Sequence, residues 1–260
     1  MRLFAQCNLA YDFDAAVEAV AKVQVLGSAD QVIVSETLTL GPGARLVSVT
    51  APDGARLLRG EMAGAVDLAY TAVVDIAPRV AIPLDARQHR WDELPPATLD
   101  YLLPSRFCPS DKFGRFVARE FDAGLPGGAR VAAILDWLHA EVDYLHGVSD
   151  AETTAERTFV DRAGVCRDFT HLGITLCRAA NIPARAVGAY AWRLVPEDFH
   201  AVMEVYLGGQ WWLADPTRLA PGDGLIRIAT GRDAADIAFL TTGGAVRQVA
   251  MTVSVVRLDG

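Results

Sequence analysis

The strongest constraint on the fold of this 260-residue chain is a run of prolines, because six of its thirteen prolines fall between positions 78 and 109. Proline fixes φ and removes a backbone donor, so prolines this dense prevent a long helix or strand. The segment 78–110 is therefore predicted to be a linker. It divides the chain into two predicted domains, residues 1–95 and residues 96–260.

The first domain has the pattern of short strands separated by turns. Residues 31–40 precede a Gly-Pro-Gly sequence at 41–43, residues 45–50 precede Pro-Asp-Gly at 52–54, and a third run begins at position 66. Alternating runs rich in β-branched residues predict an antiparallel sheet or a small sandwich. The segment 14–23 also fits one or two turns of helix.

The second domain has helices first and strands afterwards. Apolar positions within 129–144 follow the spacing of one helical face, and another helical stretch begins at Cys166. Strands are predicted at 183–192, 200–207, 210–215 and 249–256, and a Gly208-Gly209 turn joins the second to the third. This order predicts an α+β fold with helices packed on an antiparallel sheet, preceded by a β-rich N-terminal domain.

Composition excludes some classes of partner. The formal net charge of -8 provides no basic stripe for nucleic acid or anionic lipid, and 52% hydrophobic residues are enough for a substantial core. The N-terminus has no apolar run of signal-peptide length, and no segment approaches eighteen apolar residues without a charge. We therefore expect a soluble, cytoplasmic protein with no nucleic-acid or membrane partner.

The four cysteines are widely spaced and form no CxxC pair, so each is expected to act singly. Cys166 stands where helical periodicity begins, and unpaired N–H groups at a helix N-terminus favour a thiolate, the nucleophilic form of cysteine. A small buried hydrophobic residue is the competing interpretation. Cys177 lies three turns along the same helix, roughly 16 Å away, and is expected in the core.

His200 is the predicted base for this thiol. His171 is nearer in sequence, but five helical residues turn its side chain about 140° away from that of Cys166. If Gly208-Gly209 is a two-residue turn, Leu207 pairs with Gln210, and His200 then lies diagonally across from Asp215 on one face of the ribbon. A slip of one residue would separate the two side chains onto opposite faces.

These three residue types fit one chemistry. An imidazole takes the proton of a thiol and returns it to a leaving amine, while a carboxylate fixes the orientation of the ring. The predicted catalytic roles are therefore nucleophile for Cys166, acid and base for His200, and orienting group for Asp215. Zinc binding is the alternative for the same set, although no close ligand pair supports it. The backbone N–H of Cys166 is the expected first donor of an oxyanion hole.

The sequences GVCRDFTHL at 164–172, NIPARAVGAYA at 181–191 and DFHAVMEVYLGGQWWLADPT at 198–217 resemble the bacterial transglutaminase-like superfamily, which includes candidate cysteine proteases. The resemblance extends from Tyr101 to Phe239. It implies a papain-like α+β core, the triad named above, and a thioester formed on an amide carbonyl. Asp168 matches a recurrent residue, for which we expect structural support near the helix start; a solvated or capping aspartate is the competing interpretation.

The function expected from residues and resemblance is hydrolysis of an amide, as in a cysteine protease, with a peptide or related amide as substrate and no cofactor. One alternative is a transglutaminase-type acyltransferase or deamidase acting on glutamine side chains. Another is a binding protein that retains the triad as a relic. The motifs carry no information about oligomeric state.

Overall fold

A computed structural model describes residues 1–51 and 54–258. Two residues of the predicted turn at 52–54 therefore lie outside the described residues. The described residues form these strands: β1 Arg2–Ala21, β2 Gln31–Leu40, β3 Ala44–Thr50, β4 Arg56–Ile76, β5 Asp143–Tyr144, β6 Ala163–Gly164, β7 Ala184–Ala191, β8 Phe199–Leu207, β9 Gln210–Ala214, β10 Leu225–Gly231, β11 Leu240–Thr242 and β12 Arg247–Arg257. The α-helices are α1 Gly114–Glu120, α2 Gly127–Glu141, α3 Ala155–Asp161, α4 Cys166–Ala179 and α5 Ala234–Ile237.

The first sheet is built on two long antiparallel strands, β1 and β4. On the side away from β1, β4 pairs with β2 along one part of its length and with β3 along another part. The segment 14–23 is not helical, because β1 extends to Ala21 and pairs with β4 again beyond a register irregularity after Phe13. Its apolar residues at alternate positions face the core, as the burial of Ala19, Ala21 and Val23 shows. Buried and exposed side chains therefore alternate along this segment as they do in a strand, and not with the spacing of a helix.

The last strand of the chain belongs to the first sheet. β12 pairs antiparallel with β1 from Leu3 opposite Arg257 to Asp12 opposite Arg247, and β11 pairs with the other end of β1. The closing strand predicted at 249–256 is thus present. It pairs with an N-terminal strand, whereas the sequence analysis predicted it as part of the second domain, residues 96–260. Its buried side chains, Val253 and Val255, are in the same core as those of β1.

The second sheet has the order β10-β7-β8-β9 and is antiparallel throughout. α4 packs on one face of it, and this helix is buried from Asp168 to Arg178. A Cβ at Gly173 would lie 2.8 Å from the sulfur of Met203 on β8, so a glycine allows the close approach of helix and sheet. The α+β architecture with an N-terminal β-sheet is therefore confirmed, and the proline-rich stretch contains only short 3-10 turns between coil.

The two sheets share a continuous interface. The hydroxyl of Tyr190 on β7 donates to the carbonyl of Val23 at 2.7 Å, and its ring stacks on Tyr70 of β4. Beside this apolar contact, the guanidinium of Arg227 bonds to Asp30 of the N-terminal region and to Glu204 of β8. Apolar packing and an ionic bridge thus join the N-terminal sheet to the strands that carry the candidate site. Within the described residues, the longest apolar helix falls short of the length needed to span a bilayer.

Candidate active site

Cys166 is the first residue of α4, as predicted, and its side chain is half-buried. The preceding residue, Val165, is extended, so the chain enters the helix from the short strand β6. The sulfur therefore stands beside backbone N–H groups that have no partner within the helix. The first turn of a helix is a place where bound anions are stabilised.

Asp168 stabilises the turn that presents the cysteine. Its carboxylate is fully buried, and Oδ2 accepts a hydrogen bond from the backbone N–H of Val165 at 2.9 Å. Oδ1 accepts from the guanidinium of Arg167 at 3.2 Å. A Cβ on Gly164 would lie 2.6 Å from the Cβ of Asp168, so this close packing requires glycine. The residue thus caps the helix start, which was the competing interpretation, and its cap also supports the turn that carries Cys166.

The hairpin of β8 and β9 has the predicted register. Leu207 pairs with Gln210, and Met203 pairs with Ala214, so Gly208 and Gly209 form a two-residue turn. Both glycines have positive φ, at 60° and 88°, which suits a type I′ turn. The register therefore brings His200 and the residue after β9 to the same end of the ribbon.

His200 and Asp215 form a buried pair, with Nε2 of the ring 2.9 Å from Oδ2 of the carboxylate. The carboxylate is itself held in place: Oδ1 accepts from the backbone N–H and the hydroxyl of Thr217, at 2.9 and 2.7 Å, and Oδ2 accepts from the N–H of Ala220 at 3.0 Å. Thr217 was not identified from the sequence, although an aspartate two residues before a threonine is typical of a side-chain turn.

The pair holds a proton on the imidazole. Burial disfavours the charged ring, but hydrogen bonds to Asp215 and Cys166 outweigh burial and raise the pKa of His200 to about 9. Burial likewise opposes ionisation of Asp215, whose pKa is nevertheless lowered because His200 and Thr217 donate to the carboxylate. At neutral pH the site therefore favours an imidazolium beside a carboxylate.

The thiol of Cys166 is the other neighbour that favours the charged form of His200. Nδ1 of the ring is buried and has no well-formed partner among the described residues, whereas Nε2 faces Asp215. Nδ1 is therefore the atom that can exchange a proton with the thiol. The structure brings together all three residues singled out from the sequence.

Tyr144, on β5, completes the surroundings of the sulfur and was missed by sequence reasoning. β5 pairs in parallel with β6, with Tyr144 opposite Gly164, two residues before the cysteine. The tyrosine hydroxyl interacts with both the backbone N–H and the thiol of Cys166. Burial and the nearby Cys166 raise the pKa of Tyr144 to about 12, so its hydroxyl stays protonated. A two-residue parallel ladder leaves no periodic signal in the sequence.

The remaining cysteines and His171 lie away from this arrangement. Burial raises the pKa of Cys7 to about 11, and those of Cys108 and Cys177 to about 12, which keeps all three thiols protonated. Nε2 of His171 accepts from the N–H of Ala234 at 3.1 Å, and its ring stacks on Phe107. Among the described residues, no three His, Cys, Asp or Glu side chains are arranged to hold a metal ion.

The chain is similar to several known proteins. Residues 115–216 match the family described as the transglutaminase-like superfamily. The crystal structure of a candidate cysteine protease from Cytophaga hutchinsonii is 35% identical, covers 100% of this chain and 91% of its own, and gives a TM-score of 0.94. The periplasmic domain of TgpA from Pseudomonas aeruginosa is 18% identical, with a TM-score of 0.45 over 81% of this chain and 75% of its own.

A curated relative also matches part of the chain. It is an uncharacterized protein from Mycobacterium leprae, 27% identical over 158 residues, which are 57% of this chain and 54% of the relative. The chain thus spans about half the length of this curated relative.

Proposed function

This chain belongs to the transglutaminase-like superfamily, and on that premise we propose that it is a cysteine hydrolase that cleaves an amide bond in a peptide or related molecule. The observation that supports the proposal most is the position of His200, which lies between the carboxylate of Asp215 and the thiol of Cys166. A ring so placed serves the thiol as a base and the leaving group as an acid.

The proposed reaction has two steps. In the first, the proton exchanged between the thiol and Nδ1 of His200 resides on the ring as the sulfur attacks the carbonyl carbon; the C–N bond then breaks, and the ring donates this proton to the departing amine. The acyl group is left on Cys166 as a thioester. In the second, His200 takes a proton from water, whose oxygen attacks the thioester carbon. The C–S bond breaks, a carboxylic acid leaves, and the sulfur regains its proton.

Stabilisation of the oxyanion is assigned to two donors. The backbone N–H of Cys166 is one, and the hydroxyl of Tyr144 is the other, because it interacts with both this N–H and the sulfur and remains protonated at neutral pH. Hydrogen-bond donors directed at the developing oxyanion stabilise its charge in the transition state. In this arrangement Tyr144 turns from the N–H of Cys166 to the substrate oxygen when an acyl group is bound.

Hydrolysis is favoured over transfer of the acyl group to an amine. The side chain of Cys166 is only partly buried, so water has access to a thioester formed there. Acyl transfer requires that water be excluded while the amine attacks.

The test is alkylation by iodoacetamide over a range of pH, with the modified cysteine mapped by mass spectrometry, in the wild type and in His200→Ala. Cys166 is expected to be modified at neutral pH, and the variant should need a higher pH and react on the order of 10²-fold more slowly. Cys108 and Cys177 serve as internal controls, because burial raises the pKa of both thiols to about 12. Labelling of Cys166 that is no faster than that of Cys177, and is unchanged by His200→Ala, would indicate a relic triad instead.

A further inference from the structure

An acidic side chain lies close to the imidazole of the candidate active site. Asp198 directly precedes β8 and stands two residues before His200. Alternate residues of an extended chain share a face and are roughly 7 Å apart, so the carboxylate lies on the same side as the imidazole. Asp198 is exposed, and its Oδ1 accepts a hydrogen bond from the backbone N–H of Phe199 at 2.7 Å.

The charge of Asp198 acts on the groups around the thiol. It interacts electrostatically with His200 and His146, and also with Tyr144, whose hydroxyl contacts Cys166. The ring of His146 in turn packs edge-on against that of Tyr144, with centroids 5.4 Å apart. The carboxylate therefore lies within electrostatic range of the imidazole and the tyrosine that adjoin the thiol.

Two arginines of the second domain, Arg167 and Arg218, are engaged with groups other than Asp198. Arg167, next to the cysteine, bonds to the carbonyl of Asp150 and to Oδ1 of Asp168. Arg218 forms an ion pair with Asp136. Within residues 1–51 and 54–258, Asp198 forms no ion pair with a lysine or arginine; burial raises the pKa of its carboxyl, whereas the N–H of Phe199 and the rings of His200 and His146 favour its charged form.

We propose that Asp198 determines specificity at this site by selecting substrates that carry a cationic group, such as a lysine or arginine side chain, next to the scissile amide. The proposal rests on the proposed function, because it concerns the substrate of the same cysteine. A single exposed carboxylate roughly 7 Å from the residue that serves the thiol favours a nearby cation over a neutral group by roughly five- to tenfold. It disfavours an anion by a similar factor.

Small alkylating reagents of different charge test the proposal without knowledge of the substrate. The rates for Cys166 are measured with 2-bromoethylamine, iodoacetamide and iodoacetate, which are cationic, neutral and anionic near neutral pH, and each rate is divided by that of 2-mercaptoethanol. The imidazolium of His200 also attracts iodoacetate, so the quantity compared between variants is the relative rate of the cationic reagent divided by that of the anionic reagent. Any change in nucleophilicity of the sulfur acts on all three reagents and cancels in this ratio.

The ratio of cation to anion is expected to fall roughly five- to tenfold or more in Asp198→Asn and further in Asp198→Lys, and the effect should shrink in high salt. Glu197→Gln is the matched control, because it removes an adjacent exposed carboxylate on the opposite face of the extended chain, and it should leave the ratio within about twofold. A ratio unchanged in both Asp198 variants overturns the proposal.

Peptide vinyl sulfones with lysine, glutamine or glutamate beside the electrophile extend the test to substrates. The wild type should react fastest with the lysine probe, and this preference should disappear in Asp198→Asn; equal rates for the three probes in the wild type count against the proposal. Failure of the proposed function is a separate result. It appears as slow iodoacetamide labelling of Cys166 in the wild type, for which the charge ratio can still be measured.

Discussion

The imidazole of His200 lies with Nε2 2.9 Å from Oδ2 of Asp215, and the carboxylate is itself fixed by the backbone and hydroxyl of Thr217. Since side chains from the start of β8 and from the turn after β9 meet in this contact, the hairpin register determines it. The first prediction concerns this pair.

Replacing Asp215 with asparagine should lower the pKa of His200 from about 9, because the ring loses its anionic partner while burial still disfavours its charge. The acylation rate with p-nitrophenyl acetate should fall between about 10²- and 10⁴-fold. The pKa is measured by NMR titration of the ring protons. Thr217→Val removes one hydrogen bond to the carboxylate of Asp215 but leaves that carboxylate charged, so it should lower the acylation rate by no more than about tenfold. Equal losses of rate in the two variants would contradict an electrostatic role for Asp215.

Removing the hydroxyl of Tyr144 should slow acylation of Cys166 much more than it slows alkylation of the same thiol. Tyr144→Phe is expected to slow acylation by p-nitrophenyl acetate on the order of 10²-fold, because one oxyanion donor is lost. Alkylation by iodoacetamide forms no oxyanion, so its rate should change by less than about fivefold. Equal slowing of both reactions would instead show that the tyrosine acts on the thiol itself.

His171 should make the fold less stable in acid. Burial lowers the pKa of His171 from 6.5 to about 4, so between these values the unfolded chain binds a proton that the folded protein does not. Stability is therefore expected to fall as the pH decreases from about 6.5 to 4, by on the order of 2–3 kcal/mol from this residue. Urea unfolding at about pH 7 and 4.5 should show a smaller loss in His171→Gln, which retains an acceptor for the N–H of Ala234. The same pH dependence in both proteins would contradict the assignment.

The ion pairs of Glu204 should contribute much more to the stability of the fold than ion pairs at the surface. Its carboxylate is 2% exposed and bonds to Arg185 and Arg227. Glu204→Ala leaves two largely buried guanidinium groups without it, and is expected to lower the free energy of unfolding by about 3–5 kcal/mol. Asp92→Ala, at an exposed pair with Arg90, should change it by less than about 1 kcal/mol. Chemical denaturation measures both, and similar losses would be inconsistent with the buried bridge.

The helix start should depend on Asp168 as a hydrogen-bond acceptor. Asp168→Ala removes the acceptor of the Val165 N–H and is expected to lower the free energy of unfolding by about 1–3 kcal/mol. It should also slow alkylation of Cys166, because the turn that presents the sulfur loosens. Asp168→Asn keeps an oxygen at the same position and should recover most of the stability. If asparagine is as damaging as alanine in thermal unfolding, the negative charge rather than the cap is what matters.

The sequence alone determined those parts of the site that depend on neighbouring residues. The Gly208-Gly209 turn fixed the pairing of β8 with β9, and from it the approach of His200 to Asp215 followed by counting residues. The onset of helical periodicity likewise placed Cys166 at the first turn of α4. Turns, caps and side-chain periodicity are local, so a few adjacent residues specify them.

Only the tertiary structure decided the contacts between distant segments. The pairing of β12 with β1, and the two-residue ladder that places Tyr144 beside the sulfur, join parts of the chain that share no turn. The segment 14–23 fitted two local patterns, and its pairing with β4 selected the strand. These outcomes depend on which surfaces can be buried together once the whole chain has closed, and residue spacing does not encode that choice.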